Sequence, residues 1–291
     1  MSTVGIELEW SDIDRWKEIP ATLGKWSMED YSIVNSDGHG NCPTGETWRW
    51  GGEINTRPTS TPAEQAEITR LLVEHFQSPS PVINYKSNLH VHVAPSLNLL
   101  EQENLQILKD VATYLRESEA FVYSTVEPLR SMQPTEAEFP DVDELIGATK
   151  RWRRNLTSHQ HSLPPQRYVE MMAATTTQEF KDAMAPPTKT GGRAWHVAPR
   201  PGMNLRSLWK HGTIEFRHFA GSMNPGEILD AVEWCQQLTD AAVLRATLPK
   251  DIHVLSAQEI YVRARPAWSF PKFVKYDHQL ALGFAMTQWK K

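Results

Sequence analysis

The stretch Thr213-Ile214-Glu215-Phe216-Arg217-His218-Phe219 sets a carboxylate and a guanidinium two residues apart inside an apolar run. Side chains on a β-strand face alternately to either side. Glu215 and Arg217 therefore share one face, and Ile214, Phe216 and His218 share the other. Two more stretches repeat the arrangement. Val4-Gly5-Ile6-Glu7-Leu8-Glu9-Trp10 puts Glu7 and Glu9 on one face, and Asn88-Leu89-His90-Val91-His92-Val93 does the same with His90 and His92, each pair backed by aliphatic neighbours. Trp48-Arg49-Trp50-Gly51-Gly52-Glu53-Ile54-Asn55 reads as a further strand with Glu53 opposite Ile54, and its two glycines allow another backbone or a ligand to come close. Placed in one sheet, these strands give an apolar back and a front of Glu, His and Arg.

The helix signals explain what covers the back. Thr61-Pro62-Ala63-Glu64 supplies an N-cap, a proline at the first helical position and a capping-box acid, followed by Ile68, Leu71, Leu72 and Phe76 at helical spacing. Asn98 with Glu101 opens a second helix, with a stripe of Leu105, Leu108, Val111, Ala112 and Leu115. Asn224-Pro225-Gly226-Glu227 opens a third, with Ile228, Val232, Cys235, Leu238 and Ala242. Each helix follows one of the charged strands, so the helices are expected on the apolar back and the polar front stays open. Ser256 and Glu259 form another capping box near the C-terminal end.

The remaining intervals are less regular. Ser11 to Asn35 reads as a short helix or an irregular connection, and Tyr31-Ser32-Ile33-Val34 alternates like a strand before the turn at Asp37-Gly38. Thr125 to Gln166 carries an acidic patch, then Lys150, Arg151, Arg153 and Arg154, and reads either as a solvated face or as a lid whose arginines reach phosphates. Pro186 to Gly202 holds Lys189, Gly191, Gly192, Arg193 and Arg200, but lacks the GxxxxGK[ST] spacing of a phosphate loop. Without an internal repeat or low-complexity linker, we expect one domain over 1–291, with 119–166 as a lid or insertion.

Composition narrows the function classes. The 291 residues are 40% hydrophobic and 22% charged, as expected of a soluble globular chain. A formal net charge of -5 gives no support to general duplex nucleic-acid binding. Cys42 and Cys235 stand outside any CxxC spacing, which suggests reduced thiols rather than a disulfide framework or zinc ribbon. No apolar run approaches the ~20 residues that span a bilayer, and the N-terminus shows no leader pattern, so we expect no membrane partner and a cytoplasmic location.

The polar front asks for a cation. Solvent faces of strands usually carry Thr, Ser, Lys and mixed charges, and two carboxylates ~4 Å apart repel by roughly 4 kcal/mol at an effective dielectric near 20. A divalent ion removes that cost. Oxygen-rich donors with some imidazole suit Mg²⁺, or Mn²⁺, better than structural Zn²⁺. Mg²⁺ held this way commonly keeps positions for phosphate oxygens, beside which arginines neutralise charge developing in phosphoryl transfer.

Taken in order, Gly5-Ile6-Glu7-Leu8-Glu9, Asp37-Gly38, Glu53-Ile54 before Pro58, Leu89-His90-Val91-His92, Asn204-Leu205 and Thr213-Ile214-Glu215-Phe216-Arg217 through Gly221 resemble the amidoligases of the carboxylate–amine ligase superfamily. The resemblance spans roughly residues 4 to 240. It implies an α+β fold like that of glutamine synthetase and glutamate–cysteine ligase: a curved, mainly antiparallel sheet with helices on its convex face and ATP bound on the concave side between metal ions. By position, Glu9 and Glu53 would hold one Mg²⁺, and Glu7, His90 and Glu215 the one nearest the transferred phosphate. Arg217 and Glu215 would be catalytic, His92 would lie beside the nucleotide, and Arg193, Arg200 or Arg217 would meet phosphate. The implied substrates are a small molecule, peptide or modified nucleotide bearing a carboxylate, together with an amine acceptor. Two rival readings share these residues. One is a metal-dependent hydrolase in which the His/Glu cluster activates water, although the chain lacks the eightfold strand–helix alternation of the barrels that use HxH. The other is a metal-stabilised interaction module.

Overall fold

The computed structural model describes residues 2–11, 17–27, 51–77, 81, 87–124, 165–185, 187–194 and 202–264. The four charged stretches become strands β1 (Thr3–Ser11), β3 (Gly51–Thr56), β4 (Asn88–Ala94) and β6 (Ile214–Ala220). Two short strands complete the sheet, β2 (Gly24–Trp26) and β5 (Met203–Asn204). The order is β2-β3-β1-β4-β6-β5, and every neighbouring pair is antiparallel. The fold is thus α+β with an open antiparallel sheet.

Strand β2 corrects the expectation of a helix or irregular connection between Ser11 and Asn35. Its conformation comes from pairing with the edge of β3, Gly24 opposite Thr56 and Trp26 opposite Ile54. Gly52 makes room for this edge: a Cβ there would stand 2.7 Å from the Trp26 ring. The close approach read from the glycine pair is made by an indole.

The helices follow the strands as their caps predict. Helix α1 (Pro62–His75) starts at Thr61, whose hydroxyl accepts the Glu64 N–H at 3.3 Å. Asn98 caps a turn instead of a helix, accepting the Leu100 N–H at 3.2 Å; a 3₁₀ turn over Gln102–Asn104 then leads into α2 (Leu105–Ser124). The short helices α3 (Pro165–Ala173), α4 (Thr177–Ala183) and α5 (Ser207–His211) precede β6. Asn224 caps the long helix α6 (Pro225–Thr247) by accepting the Gly226 N–H at 2.9 Å. The capping box of α7 (Ala257–Ala264) is reciprocal, with the Ser256 N–H donating to Glu259 and the Glu259 N–H to the Ser256 hydroxyl.

Helix α6 packs between α1 and α2 and reaches β4 and β6. Ile228, Val232, Cys235, Leu238 and Ala242 are all buried, as their spacing requires. They join Val4, Ile6, Leu8, Trp10, Ile54, Leu89, Val91, Val93, Ile214 and Phe216 from the sheet in one apolar core. At roughly 1.5–3 kcal/mol for each fully buried aliphatic or aromatic side chain, this layer dominates the fold's stabilisation. His218 lies on the same face, fully buried among Phe216, Phe219 and Trp234. Burial pushes its pKa down to about 3, so it is neutral at physiological pH.

One irregularity shapes the front. Leu89 pairs with Phe219, but Val91 pairs with Phe216, so Arg217 and His218 together stand opposite His90. Such a bulge re-aims side chains. Here it leaves Arg217 on the polar face while His218 and Phe219 are buried. Among the described residues no helix is long and apolar enough to cross a membrane. The strand expected at 31–34, the turn at Asp37, the interval 125–164 and Arg200 lie outside the described residues.

Candidate active site

The register of the sheet decides which front residues meet. Glu7 stands opposite His90, Glu9 opposite Glu53, and His92 opposite Glu215. Residues scattered along the sequence thereby become neighbours on three adjacent strand pairs. Glu9, Glu53, His90 and Glu215 are buried, and Glu7 and His92 are partly so. Glu9 and Glu53, two buried carboxylates on directly opposed residues, form a pair that repels unless something neutralises it.

Glu7 is the hub. Its Oε2 lies 2.7 Å from His90 Nδ1 and its Oε1 lies 3.1 Å from His92 Nε2. Burial works to raise the Glu7 carboxyl, but the hydrogen bonds and charges of the two imidazoles outweigh it and hold the group far below the usual carboxylate range. For His92, burial acts to lower the pKa, yet the Glu7 hydrogen bond with the Glu215 and Glu7 charges raises it on balance. Glu215 is likewise lowered: burial opposes ionisation, and the Arg217 charge, with His92 and His90 behind it, prevails. Arg217 Nη1 donates to Glu215 Oε1, and Asn204 Nδ2 donates to Glu215 Oε2 at 2.7 Å. Both carboxylate oxygens are therefore fixed in direction. Glu9 is anchored differently, with Oε2 accepting from the Asn88 backbone N–H at 2.8 Å and from the Asn88 side chain.

Two groups of three donors emerge, Glu7/Glu53/His90 and Glu7/His92/Glu215, each with its ligand atoms within 4.8 Å of one another. Around an octahedral ion at ~2.1 Å, adjacent donors sit about 3.0 Å apart and opposed ones about 4.2 Å. The separations seen within the groups, 2.7 Å from Glu7 to His90 and 3.1 Å from Glu7 to His92, fall close to the adjacent-donor value. The donor set therefore fits divalent cations. The grouping differs from the one the resemblance implied. Glu7 belongs to both groups and His92 stands among the donors, while Glu53, in the group with Glu7 and His90, also faces Glu9 across β1 and β3.

Above this front lies a cleft of about 780 Å³. Lys25 and Trp26 line it from the β2 edge, and Lys181, Arg206, Trp209 and Lys210 from the opposite edge, with Arg217 between. A carboxylate floor beneath cationic walls can take a divalent cation and an anionic ligand side by side. Arg193 lies elsewhere. Its Nη1 donates to Glu170 at 3.2 Å and to the Ala185 carbonyl at 3.1 Å, in a separate recess lined by α3, α4 and the 191–193 turn.

Of the residues singled out from the sequence, the structure brings together Glu7, Glu9, Glu53, His90, His92, Glu215 and Arg217. The cationic wall was not anticipated. Arg206 and Lys210, four apart just upstream of β6, carried a signal in their helical spacing; Lys25 and Lys181 carried none, because their approach depends on the tertiary fold.

No curated protein matches the chain. Glu7, Glu9, Glu53, His90 and His92 precede the segment that a family model matches, so their place in the site rests on the geometry of the sheet. Residues 148–239, which take in Asn204, Glu215, Arg217 and the first two-thirds of α6, match the family model described as "Putative amidoligase enzyme", and the match supports the amidoligase resemblance and with it an enzyme of the ligase type.

Proposed function

We propose that this protein is an ATP- and Mg²⁺-dependent carboxylate–amine ligase, with Mn²⁺ able to replace Mg²⁺, acting through an acyl phosphate. The observation that carries the reading is Glu7, one carboxylate common to two three-donor groups at the foot of a cation-walled cleft. Two divalent ions would be held by Glu7, Glu53 and His90 and by Glu7, His92 and Glu215. When bound, they would supply charge neutralisation for phosphate oxygens.

The chain's own residues do the rest by position and charge. Lys181, Arg206 and Lys210 draw the polyphosphate to one wall, and Arg217, steered by its pairing with Glu215, adds positive charge at the centre of the floor. A substrate carboxylate oxygen attacks the γ-phosphorus, the bond to ADP breaks, and an acyl phosphate forms. An amine then attacks the acyl carbon, the carbon–oxygen bond to phosphate breaks, and the departing phosphate carries off the amine proton. Amide, ADP and phosphate result. The hydrolase reading draws on the same His/Glu cluster but gives the cationic walls no part in the chemistry.

The test is chemical trapping. With ATP, Mg²⁺, hydroxylamine and pooled carboxylates, the purified protein should release ADP and form a hydroxamate only when metal and a carboxylate substrate are both present. Cleavage of esters or amides without ATP, and no ADP release with any pool, would overturn the proposal.

A further inference from the structure

One local segment supplies hydrogen bonds to the Glu7/His92/Glu215 donor group. His92 Nδ1 lies 2.9 Å from Thr213 Oγ1, Thr213 Oγ1 lies 2.9 Å from Ser207 Oγ, and Ser207 Oγ lies 3.4 Å from the same ring nitrogen. Asn204, three residues before Ser207, donates to Glu215 at 2.7 Å and turns back to accept the Arg206 N–H at 3.1 Å. One ten-residue segment, from β5 through α5 to the start of β6, thus grips both His92 and Glu215. Glu53 stands on β3, three strand spacings from β6, or about 14 Å.

We infer that the segment Asn204–Thr213 orients the Glu7/His92/Glu215 donor group selectively, with Thr213 and Ser207 as positioning residues for His92, so that the two ion sites differ in what holds them. The inference rests on the two-ion reading given above. Its logic is that of an imidazole with two unlike nitrogens. With an ion bound, a hydrogen on Nδ1 donated to the Thr213 hydroxyl would leave Nε2, which lies 3.1 Å from Glu7, as the ring nitrogen able to ligate in place of donating to that carboxylate. The Thr213 hydroxyl can pass its own hydrogen to Ser207, which keeps the chain of donors running in one direction. Without this support the ring is free to turn about its two side-chain torsions, and the position of Nε2 is no longer set. Outer partners of ligating histidines typically account for 10- to 100-fold in metal affinity.

The experiment is a Mn²⁺ titration of the full-length protein, following free Mn²⁺ by electron paramagnetic resonance, on the wild type, Thr213→Val, Thr213→Ser and the double variant Thr213→Val/Ser207→Ala. Circular dichroism and melting of each variant without metal establish that it is folded. Wild type should bind two Mn²⁺ per chain. Thr213→Val should weaken one site by about 10- to 100-fold and leave the other within about twofold, the double variant should weaken the same site further, and Thr213→Ser should restore it. Equal weakening of both sites, or folded Thr213→Val with wild-type binding at both, overturns the inference while the two-ion reading survives. A wild type that binds no Mn²⁺ overturns that reading itself.

Discussion

Glu7→Gln is the substitution with the sharpest consequence, because it leaves shape nearly unchanged and removes the charge shared by both donor groups. Its effect on the metal-free protein is a difference of opposing quantities. Two hydrogen bonds to imidazoles, at 2.7 and 3.1 Å, lose their ionised acceptor. Bonds to charged groups contribute about 1.5–3 kcal/mol each, so the loss is about 3–6 kcal/mol. Against it stands the relief of repulsion between Glu7 and Glu215, whose ligand atoms lie within 4.8 Å. At an effective dielectric of 20 that is about 3.5 kcal/mol. The net change is within about 3 kcal/mol, and at roughly 2 °C or slightly more per kcal/mol for a chain of this size the melting temperature should move by less than about 8 °C.

The metal-bound state should respond quite differently. An ion present at 100 times its dissociation constant stabilises the native state by about 2.7 kcal/mol per site, so two sites should raise the melting temperature of the wild type by about 10 °C or more. Glu7→Gln removes a donor from both sites, and that rise should disappear. The assay is thermal unfolding followed by fluorescence over a Mn²⁺ or Mg²⁺ series. A Glu7→Gln protein that keeps the full metal-dependent rise would refute the placement of Glu7 between two ions. A metal-free variant already unfolded at room temperature would refute the charge balance.

Three further outcomes follow from the same structure. His218 has a folded pKa of about 3 against an ordinary value of 6.5, so the unfolded chain binds more protons between those limits and stability falls as the medium is acidified; by pH 5 roughly 2 kcal/mol should be lost relative to pH 8, and denaturant midpoints for His218→Phe should lose this part of the slope. Gly221→Ala places a Cβ 2.7 Å from Ser87 Cβ and 3.0 Å from its carbonyl carbon, and should cost about 1–3 kcal/mol by denaturant titration, whereas an unchanged midpoint would mean the two backbones separate freely. Lys210→Ala should raise the KM for ATP by roughly tenfold or more, while Arg193→Ala, whose guanidinium is engaged by Glu170, should leave it nearly unchanged; the reverse order would return Arg193 to the phosphate site.

Much of this arrangement was legible in the sequence because alternation and capping are local. Glu7 and Glu9, Glu53, His90 and His92, and Glu215 and Arg217 announce their strands by sitting between apolar residues, and Thr61, Asn224 and Ser256 announce helix starts by chemistry that needs no tertiary context. What was not legible is the order of strands. The chain separates Glu7 from His90 by more than eighty residues, but β1 lies at the centre of the sheet between β3 and β4, and only that placement makes Glu7 a neighbour of His90 and, across the face, of His92. Strand β2 was missed because three residues are too few to alternate and its pairing with Gly51–Thr56 defines it. The bulge opposite His90 is likewise a property of two strands together. Asn98 misled because an Asx turn and a helix N-cap use the same side-chain acceptor, and here it serves Leu100 ahead of the helix.

The most direct measurement is anomalous diffraction from crystals grown or soaked with Mn²⁺. We predict two peaks per chain on the polar face of the sheet, one among Glu7, Glu53 and His90 and one among Glu7, His92 and Glu215, with a Glu7 oxygen close to each. Density that puts manganese elsewhere on the molecule, or a saturating soak that leaves both donor groups empty, would contradict the account.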